Sequence, residues 1–323
     1  DGYYNLKSTK SSSTVAICNE LLSIIRKYNN PVVIPNTDDF LAIIEENFDQ
    51  FAAHSTLTYN SKDSISNAIN KFNLIKECEK LEFNIPKYRY ITNISQAQEI
   101  DLEFPVIIKP ERSVVIKNDE LCYTHVILVN TYEEFIDECR FQIYICGLIV
   151  QDYIPGKGRG VNVFANNGNL VSSFFYNRLH EPGFGGGSSL RKSLNIDRTL
   201  TNLNSELVKK LCINGIAMIE YRTCSSTKIN YLMEVNLRMW GSISLPISCG
   251  VDFPKLLLYQ AIGKDYDHIL TDYKVSMYSR NILKDIKWIF VKTVNKLKKG
   301  KVRDAFYIVI SNLKLFVKNR VTN

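Results

Sequence analysis

The sequence predicts a mixed α/β and α+β protein with a helical C-terminal tail. Three observations carry that reading. The first sixty residues alternate helical and strand patterns. Two hairpin signals follow, Gly160–Phe164 with Leu170–Phe175 and Ala217–Tyr221 with Tyr231–Val235. Beyond Arg280, apolar residues recur at helical spacing among many lysines. The chain has 323 residues, about twice the usual length of one domain, so it should divide into domains or subdomains.

Taken in order, Thr14–Tyr28 carries Val15, Ile17, Leu21, Leu22, Ile24 and Ile25 at roughly helical spacing. Pro31–Pro35 reads as a short buried strand. Asp38 and Asp39 then open a helix bearing Phe40, Leu41, Ile43 and Ile44, where acidic residues suit the positive end of the helix dipole. This is the pattern of an open α/β layer without its first strand. Ile65–Glu82 reads as one amphipathic helix, with Ile65, Ile69, Phe72, Ile75 and Leu81 near one face. Strand-like runs follow at Tyr88–Ile91, Val106–Lys109, Val126–Val129 and Leu148–Val150, with a helix over Tyr132–Cys139. Asn166-Asn167-Gly168-Asn169 is a strong hairpin turn. A glycine-rich loop occupies Gly183–Ser189, Leu203–Leu211 is helical, and Thr223–Asn230 is the turn of the second hairpin. Helix resumes over Phe253–Ile262 and in two basic amphipathic segments after Arg280.

Hydrophobic residues at 45% and charged residues at 23% exclude a disordered or fibrous chain. No apolar stretch approaches the roughly 18 residues of a bilayer span, and no signal-like segment opens the chain, so a cytoplasmic protein is expected. The eight cysteines show no Cys-x-x-Cys spacing and lie mostly in apolar runs, so they read as small buried hydrophobes in a reducing compartment. With four histidines and no cysteine–histidine cluster, zinc is not expected. The charge is uneven. Residues 280–323 hold twelve Lys or Arg and two Asp or Glu, a balance of +10 in a chain of +7, which leaves −3 for the rest. The basic character therefore belongs to the tail and not to a nucleic-acid cleft. Basic amphipathic helices can lie on anionic membranes as peripheral contacts. The expectation here is that the apolar face packs on the N-terminal domain while lysines face water.

Chemistry concentrates in Met218–Arg222 and Leu232–Arg238. Alternate strand residues share a face, so Glu234, Asn236 and Arg238 project together. Two oxygen donors and a guanidinium in register suit Mg²⁺ beside a phosphate. If Glu220 opposes Glu234, their carboxylates repel unless a cation sits between them. A solvated sheet face crossed by ion pairs would use the same residue types. Phe104–Pro110 ends an apolar strand on Lys109, whose ammonium could reach a nucleotide phosphate, and Lys71 is a second candidate. Ile149–Ile154 could offer edge backbone groups to an adenine. Pro155–Gly160 leads into a strand, which excludes the dinucleotide and Walker loops that precede helices. In Asn177–Arg191, glycines let backbone N–H groups converge on an anion, and Arg178 and Arg191 could grip a carboxylate bidentately. No Ser–His–Asp or Cys–His arrangement competes as a nucleophilic centre.

The ordered set resembles the ATP-grasp superfamily, specifically its carboxylate–amine ligase-like members related to carbamoyl-phosphate synthase large chains. The matching residues are Lys71, Ile85-Pro86, Val106–Pro110, Val150–Gly156, Glu220, Glu234–Arg238, Trp240–Ser242 and Gly250–Pro254, over about residues 30–265. The resemblance implies an ATP-grasp fold, two α+β subdomains clamping ATP, within residues 66–265 and with a hinge near 150–156. Residues 1–65 would be a partial α/β domain before it, and 266–323 a basic helical segment after it. It also implies that Lys71 and Lys109 hold phosphates and that Gln151, Asp152, Tyr153 and Ile154 line the adenine site. Glu220, Glu234 and Asn236 would bind Mg²⁺, with Mn²⁺ as the alternative ion. Arg238 would lie close to the transferred phosphoryl group, and Arg178 and Arg191 would face the substrate. The implied reaction joins a small-molecule carboxylate to an amine through an acyl phosphate, releasing ADP and phosphate. Carbamate or carboxylate phosphorylation without ligation is the alternative, as is a nucleotide-binding protein without catalysis. Gln151 departs from the glutamate often found at that position, and the N-terminal domain lacks the family's opening strand and helix.

Overall fold

The Asn166–Asn169 turn forms with Asn167 and Gly168 both at positive φ (48° and 79°), the geometry a tight two-residue hairpin turn requires. It joins strands Gly156–Asn166 and Asn169–His180, the centre of a seven-stranded sheet. In spatial order that sheet runs 230–236, 215–224, 156–166, 169–180, 190–193, 278–280 and 320–322. All neighbours are antiparallel except the last pair. A smaller antiparallel sheet runs 88–91, 148–152, 106–110 and 127–129. This computed structural model describes residues 3–7, 13–181, 187–269, 272–317 and 320–322. Most of the glycine-rich loop expected over Gly183–Ser189 lies outside the described residues.

Three apolar clusters hold these layers. The N-terminal helices Thr14–Ile25 and Asp38–Glu46 bury Leu22, Leu41 and Ile44 in one continuous core with Val161, Val163, Ala217 and Ile219 of the large sheet. Helices Ser244–Cys249 and Phe253–Ala261 cover the other face through Leu245, Phe253 and Leu256 against Phe164, Phe174 and Met218. The small sheet packs Val106, Ile108 and Val150 on Phe135 and Ile136 of helix Tyr132–Ile143.

The structure corrects four expectations. Residues 65–82 form two helices, Lys62–Ile69 and Lys71–Lys80, and not one. Asn70 is extended (φ −75°, ψ 110°), and its side chain accepts hydrogen bonds from the N–H groups of Phe72 and Asn73. An asparagine that caps a new helix outcompetes continuation of the old one. The tail does not turn its apolar side to the N-terminal layer: Leu283, Ile286, Phe290 and Phe306 are exposed, and Asp285 is the buried contact. Not every cysteine is buried. Cys18, Cys78, Cys139, Cys224 and Cys249 are, but Cys212 is exposed, in the left-handed turn (φ 49°) that follows a helix. Finally, the hairpin 114–117 with 120–123 and the strands 190–193, 278–280 and 320–322 were not expected. Among the described residues, no helix is long and apolar enough to cross a membrane.

Candidate functional site

The second hairpin sets the site. Strands Gly215–Cys224 and Asn230–Asn236 pair so that Glu220 lies directly opposite Glu234 and Met218 opposite Asn236. A register shift just after Glu220 marks an irregularity beside the carboxylates. Asn236 Nδ2 donates to Glu234 Oε1 at 3.2 Å and reaches Glu220 Oε1 at 3.5 Å. Arg178 forms an ion pair with Glu220 from the neighbouring part of the sheet. Burial pushes the Glu220 carboxyl up; Arg178 opposes that shift and the negative Glu234 reinforces it. Burial acts on Glu234 in the same sense, but Lys71, Lys109 and Asn236 outweigh it and hold this carboxyl below its usual range. The environments thus push the two carboxylates in opposite directions.

The two lysines occupy different sides of this pair. Lys109 leaves the small sheet and its Nζ donates to Met233 O at 2.9 Å, bridging to the large sheet. Its burial depresses the ammonium to about 8, with Glu234 opposing the shift. Lys71 sits in the first turn of its helix and hydrogen-bonds Ser113 Oγ at 3.0 Å. It lines a small pocket with Asp38, Arg112, Ser113, Glu234 and Asn236, next to the main cavity and not within it. Arg238 lines the main cavity and is gripped by Asp38 through two bonds of 2.6 and 2.9 Å. Sequence reasoning missed Asp38, whose only visible signal was its place at a helix start.

The main cavity measures about 640 Å³, within the range of small-molecule sites. Lys109, Glu220, Glu234, Asn236 and Arg238 line it, as do Gln151, Tyr153 and Ile154. Asp152 does not; it ends strand 148–152, exposed, with its N–H donating to Lys87 O. The segment Tyr153–Pro155 is the passage from the small sheet to the large one. Arg222, missed by sequence reasoning, fixes it by donating to Ile154 O at 2.6 Å and Gly156 O at 3.0 Å.

Glycines clear one face of strand 156–166. A Cβ on Gly160 would come within 2.2 Å of the Tyr176 ring, and one on Gly158 within 2.3 Å of Glu181 Oε1. Alternate positions share a face, so the run Gly158-Arg159-Gly160 opens space for the side chains of the next strand. Tyr176 fills it and donates to Met218 Sδ at 3.1 Å. Arg178 follows, directly opposite Arg191 on strand 190–193. The two arginines were expected at the ends of a loop and instead face each other across paired strands, both lining the cavity. Among the described residues, the Arg191 side chain makes no hydrogen bond or ion pair; burial lowers its guanidinium and the neighbouring Arg178 acts in the same direction.

The donor set suits a hard cation. Among the described residues no three His, Cys, Asp or Glu side chains gather. A metal here would therefore have two carboxylates, the Asn236 amide and oxygens brought by phosphate, which is how Mg²⁺ is commonly held. The like-charged pair of Glu220 and Glu234, half-buried and directly opposite each other, is the observation that fits such an ion.

Two α+β layers closing over one cavity from opposite sheets define the ATP-grasp fold, and the chain has it. Residues 146–281 match the family described as ATP-grasp in the biosynthetic pathway with Ter operon. The chain is similar to a D-aspartate ligase of Enterococcus faecium, 27% identical over 136 residues, which are 39% of this chain and 32% of the relative. In structure it resembles the L-amino acid ligase of Bacillus licheniformis (TM-score 0.65, 15% identity, 83% of this chain and 65% of that one). It also resembles N5-carboxyaminoimidazole ribonucleotide synthetase in its ADP complex (TM-score 0.63, 17% identity, 90% and 74%). The chain spans half or less of the length of the curated relatives it matches.

Proposed function

We propose that this protein is an ATP- and Mg²⁺-dependent ligase that joins a carboxylate to an amine, with residues 66–265 as its catalytic unit. One observation carries the reading: the opposed Glu220–Glu234 pair with Asn236, the bridging Lys109 and the facing Arg178–Arg191 pair all line a single cavity. Like charges directly opposite on neighbouring strands destabilise a sheet. Glu220 neutralises Arg178, and a substrate carboxylate would neutralise Arg191.

Lys109 would hold a nucleotide phosphate from the small-sheet side and Lys71 one from the adjoining pocket. Gln151, Tyr153 and Ile154 would line the adenine site. Glu220, Glu234 and Asn236 would hold Mg²⁺, which supplies charge neutralisation between the phosphates. The arginine pair would orient the substrate carboxylate so that its oxygen attacks the γ-phosphorus in line while the bond to the ADP oxygen breaks. The amine then attacks the acyl phosphate carbon, expelling phosphate and losing a proton. Catalysis by position and charge suits a site built from carboxylates, lysines and arginines around one cavity.

The similarity to a D-aspartate ligase and an L-amino acid ligase supports amino acids as the first substrates to try. Pairs of carboxylates and amines are incubated with Mg-ATP, ADP release is followed, and the new amide is identified by mass. ADP formation that needs both partners is the expected result. ADP formed with the acid alone, with no amide, would favour phosphorylation without ligation. Binding of Mg-ATP without turnover on any pair would leave a nucleotide-binding protein.

A further inference from the structure

The helix Ile282–Lys298 is fixed to the body along one side. Asp285 on that side is fully buried, sharing a hydrogen bond with His180 Nδ1 at 2.7 Å, accepting one from Ser189 Oγ at 2.6 Å and pairing with Arg280. Trp288 stacks on His180 with ring centroids 3.8 Å apart and donates from Nε1 to Glu181 O at 2.7 Å. The other side of the helix is apolar and open. Leu283, Ile286, Phe290 and Leu297 recur at spacings that place them in one stripe, with exposures from 48% to 82%. Helix Val302–Val317 repeats the arrangement: Val302, Phe306 and Leu313 share a stripe 55% to 69% exposed, while Ala305 and Asn312 are buried.

A surface helix normally hides its leucines and shows its aspartates; helix Ile282–Lys298 reverses both, and helix Val302–Val317 leaves its large apolar stripe in the open. The charge of the region limits what can cover the stripes. Residues 280–323 carry +10 against −3 for the remainder. A second copy seated on this face would bring the same positive charge against it, and the repulsion opposes self-pairing. An anionic bilayer satisfies both features: apolar side chains enter the boundary between headgroups and acyl chains, while lysines stay level with the phosphates on extended stems.

We propose that the two tail helices form a docking surface for an anionic lipid bilayer, entered by Leu283, Ile286, Phe290 and Phe306. The helix that carries the first stripe is capped by Asn281 and holds Lys284 in its first turn, and both line the main cavity. One rigid element therefore joins the docking surface to the cavity. The surface lies outside the cluster of carboxylates and lysines, so it stands or falls independently of the ligase reading.

The test is flotation of the full chain with vesicles of phosphatidylcholine, alone or mixed with phosphatidylglycerol. The protein should float with the mixed vesicles and not with the neutral ones. Binding should weaken roughly tenfold when salt rises from about 0.1 M to about 1 M, because the screening length falls from about 10 Å to about 3 Å. The double variant Phe290→Asp with Phe306→Asp should lose binding at low salt while keeping its circular dichroism and melting temperature, since both side chains are exposed. Leu283→Asp should weaken binding in the same direction. Failure to float with anionic vesicles at low salt overturns the proposal, as does undiminished binding by these variants. A concentration-dependent dimer that the double variant dissolves would overturn it in favour of contact between copies.

Discussion

Lys109 carries a charge that burial makes expensive, and its ammonium titrates near 8 where an exposed lysine would titrate near 10.5. Between these values the unfolded chain binds more protons than the folded one, so this residue makes stability rise with pH across that window. Its effect on nucleotide binding has the opposite sign: above about 8 the phosphate partner is lost. The KM for ATP should therefore rise as pH passes 8, and Lys109→Arg, which keeps its charge, should flatten that rise. An identical pH profile in the variant would exclude Lys109 as a phosphate ligand. Gly160→Ala places a methyl where the Tyr176 ring lies, 2.2 Å away, and should cost about 1–3 kcal/mol in denaturant titration. The sequence offered the opposition of Glu220 and Glu234 only as a condition: the register set by the turn would place Glu220 against Met233, and the irregularity after Glu220 moves it to Glu234. The grip of Asp38 on Arg238 was not legible at all, since the two residues are 200 positions apart and only tertiary packing joins them.

At the scale of elements, the break at Asn70 positions Lys71 in the first turn of a new helix, beside Ser113. The apolar period of 65–82 runs through the break because both helices bury the same side, with Ile65, Leu74 and Cys78 in one core. Periodicity alone could not reveal it. Asn70→Ala removes the side chain that caps this helix and should lower stability by about 0.5–2 kcal/mol, read from the denaturant midpoint. Most of the longer helices, the central strands and the two hairpin turns followed from local pattern, while the short helices Phe48–Ala52 and Ile94–Glu99 did not. The short strands 190–193, 278–280 and 320–322 did not either, because each owes its state to its neighbour in the sheet and not to its own residues.

Over the whole molecule, local pattern gave the mixed α/β class and the ordered motifs gave a resemblance to the ATP-grasp fold, while the side of the tail that meets the body stayed hidden. A count of charge and apolar residues cannot tell which side of an amphipathic helix meets the body, and here a buried aspartate decides it. Asp285→Ala would leave Arg280 and His180 buried without their carboxylate and should cost about 3–5 kcal/mol. Burial alone would raise the Asp285 carboxyl, but His180, Ser189 and Arg280 hold it down. That contribution is present above the usual aspartate value and is lost as pH falls through the depressed one, so the tail should loosen only in acid. The central claim is that the two opposed carboxylates form the metal and nucleotide site, and it is tested most directly by Mg-ATP turnover of Glu234→Gln beside the unaltered chain. Turnover should fall by roughly 100-fold or more while the melting temperature holds, because a charge aimed at the reacting phosphates is gone and the shape is kept. Turnover close to that of the unaltered chain would contradict the account.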